Sequence, residues 1–252
     1  MSQVKSDQPS LPRRLVAELI GTALLVTVVV GSGIAAGQLS PSDVGLQLLE
    51  NSTATVLGLA VLILVFGPVS GAHFNPLVSV ADWLLGRRFG AGLTGSDVLA
   101  YAAVQTVGGI LGAVLANIMF DLSAGQISTK DRVSLGHGVG EVVATAGLIL
   151  LIFALARTGR AALSAASVGA YIGAAYWFTS STSFANPAVT IGRMFSDTFA
   201  GIAPASVPLF LGAQLLGAGL GFGLVVFLFP DASAAAGRAV VPHHAKSREK
   251  EA

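Results

Sequence analysis

The sequence predicts an all-α membrane protein, built as an inverted repeat of six transmembrane helices plus two half-helices. Three observations carry that expectation. Of the 252 residues, 53% are hydrophobic and only 11% are charged, where a soluble domain carries about 25% charged residues. Six apolar runs are each long enough to cross a bilayer, which takes roughly 20 helical residues. An Asn-Pro segment also occurs twice, in matching places of the two halves: Ala72-His73-Phe74-Asn75-Pro76-Leu77-Val78-Ser79-Val80 and Ser183-Phe184-Ala185-Asn186-Pro187-Ala188-Val189-Thr190-Ile191.

Composition excludes several classes of function. A net charge of +1 gives no reason to expect a nucleic-acid partner. The absence of cysteine removes disulfides, thiol catalysis and Cys-ligated metals. No nucleophile–base pair, metal cluster or cofactor motif is visible, so an enzyme is not expected. Mean hydropathy of +0.76 makes the lipid bilayer the first partner.

Residues 1–12 are polar and read as a tail. Arg13 and Arg14 then precede an apolar run from Leu15 to about Ala36. A cleaved signal peptide, with Gly33-Ile34-Ala35 as its small-residue site, is the rival reading. Glu18 inside the run, and its length, argue against cleavage. Further spans are expected at about 46–67, 98–120, 135–156, 161–178 and 204–229, and residues 231–252 read as a second, polar tail. The membrane domain is thus 13–230, with repeats at about 13–120 and 135–230.

The halves repeat beyond the Asn-Pro pair. Glu18 to Thr22 in the first span matches Glu141 to Thr145 in the fourth. Gln105, Gly108 and Gly112 in the third match Gln214, Gly217 and Gly221 in the sixth. Three spans per half, an odd number, set the halves in opposite orientations. An Asn before a Pro reads as an N-cap and the first residue of a helix. Such broken helices at corresponding places point to a permeation or binding site. Glycines at Gly108/Gly112, Gly169/Gly173, Gly217/Gly221 and Gly219/Gly223 suit close helix crossings.

Charge sets the orientation. Lys5, Arg13, Arg14, Arg87, Arg88, Arg157, Arg160, Arg238, Lys246, Arg248 and Lys250 fall on one side of the predicted spans, and only Lys130, Arg132 and Arg193 on the other. The positive-inside rule then places both termini in the cytoplasm.

Two Asn-Pro loops, a Glu in spans one and four, and Gln-x-x-Gly in spans three and six resemble the aquaporin and aquaglyceroporin family of major intrinsic proteins, over about residues 13–230. The resemblance implies six tilted helices, two half-helices meeting at mid-membrane, and a homotetramer with one pore per subunit. By it, Asn75, Pro76, Leu77 and Asn186, Pro187, Ala188 form the pore motifs. Glu18 and Glu141 become buried acceptors for loop N–H groups, with a proton relay as the other reading. Gln105 and Gln214 become interhelical hydrogen-bonders. His73 is a structural member of its loop rather than a proton shuttle or metal ligand, since no second ligand stands at suitable spacing.

Two departures from the family pattern bear on the solute. The usual Arg after the second motif is Val189, and Leu77 replaces the first Ala. Counting from the asparagines places Thr55, Ala174 and Ser183 with Val189 at the selectivity filter. Four short side chains predict a roomy ring without the customary Arg or aromatics, passing neutral polar solutes larger than water. Arg193 lies four residues past Val189, about 6 Å along a helix; it either guards the mouth or, the favoured reading, snorkels to the interface or serves as a structural partner. Val189 followed by Met194 to Ile202 resembles a bacterial branch linked to arsenic resistance, which implies arsenite or methylarsenicals beside glycerol-like solutes and water. A secondary transporter is the alternative, because inverted repeats with broken helices also build those.

Overall fold

The computed structural model describes residues 9–87 and 92–230. Most of the N-terminal tail, Arg88 and the tail at 231–252 lie outside the described residues, and with them Lys5, Arg238, Lys246, Arg248 and Lys250. Helices are the only regular elements among the described residues. Its long helices are α1 (Leu11–Leu39), α2 (Val44–Ser70), α4 (Gly95–Met119), α5 (Leu135–Arg157), α6 (Ser164–Phe178) and α8 (Val207–Leu228). A 3-10 turn leads into each of the last two, at Ala161–Leu163 and Pro204–Ser206. With those turns included, all six are long and apolar enough to cross a membrane. Two short helices stand between them, α3 (Pro76–Gly86) and α7 (Pro187–Gly192), the latter continued by a 3-10 turn at Arg193–Phe195.

Local chemistry explains where these elements begin. Asp43, Thr94 and Ser134 cap α2, α4 and α5, accepting from the amides of Leu46, Asp97 and His137 at 2.9, 3.2 and 3.0 Å. Helix α1 starts at Leu11, earlier than the apolar run predicts, because Pro12 sits in the first turn where a missing N–H costs nothing. Arg14 then reaches Asp97 at 3.3 Å and ties the start of α1 to the start of α4.

Packing follows the repeat. Helix α1 lies on α4 as α5 lies on α8, and α2 against α6 joins the halves. Small residues make these crossings. A Cβ on Gly108 or Gly112 would stand 2.4 and 2.1 Å from the carbonyl oxygens of Leu19 and Ala23. On Gly217 or Gly221 it would stand 2.5 Å from those of Val142 and Ala146. On Gly169 it would stand 2.8 Å from the Val56 carbonyl oxygen, and on Gly173 2.2 Å from the Val56 side chain. The expected crossing at Gly219/Gly223 is not made among the described residues: none of them lies within 4 Å of a Cβ at either. Large apolar side chains such as Leu57, Leu64, Leu99 and Phe227 cover the outside, as a bilayer-facing surface requires.

Candidate channel and selectivity site

Both Asn-Pro segments enter the interior as wound loops. Ala72 and Phe74 have φ of 48° and 48°, and their counterparts Ser183 and Ala185 have 51° and 49°. Left-handed backbone at non-glycine residues costs about 1–2 kcal/mol each, so something must hold it. In the first loop that is Glu18, which is fully buried. Its carboxylate accepts from the amides of His73 and Phe74 at 3.0 and 2.7 Å, from Ser70 Oγ at 2.6 Å and from Gln105 Nε2 at 2.7 Å. In the second loop Glu141 accepts from the amides of Phe184 and Ala185, both at 2.8 Å, and from Gln214 Nε2 at 2.6 Å. The left-handed residues wind each loop so that successive N–H groups turn to one side, a concavity made for an anion. Gln105 and Gln214 also donate to Ser79 Oγ and Thr190 Oγ1, at 3.3 and 2.8 Å, and so clamp the half-helices. His73 Nδ1 lies 3.0 Å from Ser79 Oγ, and its ring packs on Tyr101 at 5.6 Å.

The half-helices then meet tip to tip. Asn75 and Asn186 have φ near −150° and −158° and cap their helices, Asn75 Oδ1 accepting from Leu77 and Asn186 Oδ1 from Ala188 and Val189. Asn75 Nδ2 donates to the Ala185 carbonyl at 2.8 Å, and Asn186 Nδ2 donates to that of Phe74 at 2.7 Å. Pro76 and Pro187 each fill the first helical position, where no N–H is lost. An amide nitrogen carries two hydrogens. One is spent across the junction, and the other is left for whatever occupies the cavity that both asparagines line.

That cavity has an empty volume of about 680 Å³, including its open ends. Leu25 and Val29 of α1 and Leu148 and Ile152 of α5 supply matching apolar walls. Toward the side of the α4–α5 loop the lining turns polar, with Thr55, Tyr176, Ser183 and Arg193. Thr55 Oγ1 lies 3.2 Å from the Tyr176 hydroxyl. Ser183 Oγ is buried without a hydrogen-bond partner. Val189 and Phe184 complete this end.

Outside it, residues 126–132 are stitched across to 194–206. Ser128 N donates to the Met194 carbonyl at 2.8 Å, and Thr129 to Asp197 at 2.8 Å. Lys130 Nζ donates to the Phe199 carbonyl at 2.7 Å and Arg132 Nε to that of Gly201 at 2.8 Å. Burial, reinforced by Arg132 and Arg193, lowers the Lys130 ammonium to about 8. Burial lowers Arg132 to about 10.

Residues 5–185 match the family model described as Major intrinsic protein. The chain is 48% identical over 222 residues to the aquaglyceroporin AqpS of Rhizobium meliloti (strain 1021), which spans 88% of this chain and 92% of that protein. It belongs to the major intrinsic protein family. It is 32% identical over 274 residues to the glycerol uptake facilitator protein of Pseudomonas aeruginosa, spanning 90% of this chain and 94% of that one. The X-ray structure of the aquaglyceroporin from Plasmodium falciparum shares the fold, with a TM-score of 0.65 at 20% identity over 90% of this chain and 100% of that one. Major intrinsic proteins are passive membrane channels, and this multi-pass chain is a channel of that kind, not an enzyme.

Within this major intrinsic protein the structure corrects two expectations about the filter. Ala174 does not line the channel; it is exposed on the outer face of α6. Tyr176 lines it instead. Two residues along a helix turn through about 200°, so a two-residue offset swaps inner face for outer. The ring is also not free of aromatics and cations. Arg193 is only 2% exposed and turns inward, with its guanidinium 3.5 Å from the centre of the Phe184 ring. Snorkelling to the interface is therefore not its conformation. Sequence reasoning also assigned no role to Ser70 and Ser181, which immediately precede each loop's first left-handed residue, Gly71 and Thr182, and whose hydroxyls accept the amide two positions on, at 3.1 and 3.2 Å. Their equal distance from the two asparagines is the signal that could have found them.

Proposed function

We propose that this channel carries small neutral polar solutes passively: water, glycerol-like polyols and undissociated metalloid acids such as arsenite, with methylarsenicals as further candidates. The observation that carries the reading is the reciprocal pair Asn75 to Ala185 and Asn186 to Phe74, set inside one continuous cavity. It presents two amide donors to a passing oxygen, while helix N-termini oppose cations. Apolar walls along the cavity and the hydroxyls of Thr55, Tyr176 and Ser183 at one end suit a molecule with hydroxyl groups around a small core. Arsenite at neutral pH is an uncharged trihydroxy acid of that shape. The relatives named for glycerol and as an aquaglyceroporin support a solute larger than water. A rocking transporter is disfavoured, because the half-helices are bonded end to end between the two halves.

On the same reading Glu18, Glu141, Gln105, Gln214 and His73 support the loops, and Thr55, Ser183 and Val189 belong to the filter. The chain assembles as a homotetramer in a bacterial inner membrane with both termini cytoplasmic. Light scattering of proteoliposomes challenged with water, glycerol, arsenite and methylarsenate tests the solute class. Val189→Arg is expected to cut solute flux more than water flux, since a guanidinium fills space that a single-file water can still pass. Equal glycerol flux in both proteins would remove Val189 from the constriction.

A further inference from the structure

We infer that Arg193 is the selectivity cation of this channel, set one helical turn outward from the position occupied by Val189. The inference rests on the channel reading above and assigns a specificity-determining residue to it. Arg193 is 2% exposed and lines the cavity beside Ser183, Tyr176 and Val189. It is held at three points. Its Nε donates to the Ala200 carbonyl, its carbonyl accepts from Ile202 N at 3.4 Å, and its guanidinium lies 3.5 Å from the Phe184 ring centre. Phe184 is itself fixed by the hydrogen bond its amide donates to Glu141 at 2.8 Å and by edge packing on Phe210 at 4.9 Å.

Among the described residues, neither terminal nitrogen of Arg193 has a hydrogen-bond acceptor in the protein, and no carboxylate pairs with it. A guanidinium placed in the interior is stable only if its remaining N–H groups find acceptors. The lumen is what remains to supply them, through water or a solute oxygen. Ser183 Oγ, buried and equally without a partner, adds a donor and an acceptor at the same level. Val189 fits this arrangement. A second guanidinium at 189 would stand on the same helix face as the first, where like charges repel, whereas a short apolar side chain leaves room for Arg193 to fold in. The resulting fixed charge sits in a narrow passage, where it repels passing cations while donating to neutral oxygens.

The test compares wild type with Arg193→Met and Arg193→His in proteoliposomes, reading K⁺ flux with an enclosed indicator and glycerol and water flux by light scattering. Arg193→Met, which keeps the bulk on Phe184, is expected to leak K⁺ about tenfold or more above wild type while still passing glycerol. Arg193→His is expected to leak at pH 8, where the imidazole is neutral, and to close to K⁺ at pH 5.5, where it is charged. A structural prop would not give a pH-switched leak. K⁺ flux at wild-type level in Arg193→Met, or a pH-independent leak in Arg193→His, overturns the assignment; so does failure of both variants to fold. Wild-type protein that passes neither glycerol nor water would instead sink the channel reading itself.

Discussion

Glu141 shows how much structure one side chain can hold. Three donors converge on it, two of them backbone amides of a loop whose residues Ser183 and Ala185 sit in left-handed conformations. Deleting the carboxylate strands all three in the interior, and each stranded donor costs about 1–3 kcal/mol. Glu141→Ala is therefore expected to lose about 3 kcal/mol or more of stability and to abolish solute flux. Glu141→Gln keeps one acceptor oxygen and should lose less. Thermal unfolding in detergent checks the order, and an Ala variant melting with wild type would show that the loop is held by something else. Polar residues in apolar runs are conspicuous, so Glu18, Glu141 and both glutamines were legible from sequence. Tyr176 and Arg193 were not. Placing Tyr176 meant counting back from Asn186 through 179–185, where three residues are left-handed and residue number no longer measures angle. Arg193 keeps the helical step from Val189, its amide donating to the Val189 carbonyl, but the inward fold of its long side chain is set by Phe184 and the Ala200 carbonyl, which no residue count supplies.

The long helices behave differently from the loops, because their crossings depend on what is missing from the side chains. At Gly112 an added methyl carbon would lie 2.1 Å from the Ala23 carbonyl oxygen, and backbone cannot yield as a side chain can. Gly112→Ala should push α4 from α1 and destabilise by about 1–3 kcal/mol, the cost of overpacking. Gly37→Ala meets open space and lies in α1, so it should be neutral or gain up to about 1 kcal/mol from helix propensity. Parallel melting curves of the two variants measure the contrast, and equal effects would mean that the α1–α4 crossing is looser than its geometry. The spans themselves could be read from hydropathy alone because a bilayer demands length and apolarity and little else. Which glycines face a neighbour could not, since spacing is the same on every face of a helix. The two half-helices also differ in length, α3 running to Gly86 and α7 stopping at Gly192, although their first residues match in kind.

At the scale of the molecule, the apolar exterior is shared between lipid and any companion subunit. Leu57, Leu64 and Trp177 are exposed on the α2–α6 side, and Gly212, Gly219 and Gly223 leave an open strip along α8. Such faces let helices of another copy come close. The expected assembly is a homotetramer, which native mass spectrometry of detergent-extracted protein should show as four times the chain mass of 25.4 kDa. A monomer alone under several mild detergents would count against it. The two-fold resemblance of the halves has a further consequence, which concerns time. Asn75 finds its partner 110 residues later, at Ala185. With ribosomes adding about 5–20 residues per second, the first re-entrant segment waits roughly 6 to 22 s for its counterpart to emerge. During that interval a buried amide and the unfinished end of a helix sit unmatched in a nascent chain already entering the lipid. Whatever shelters that segment during insertion has to act on this half-built intermediate, before the finished channel exists.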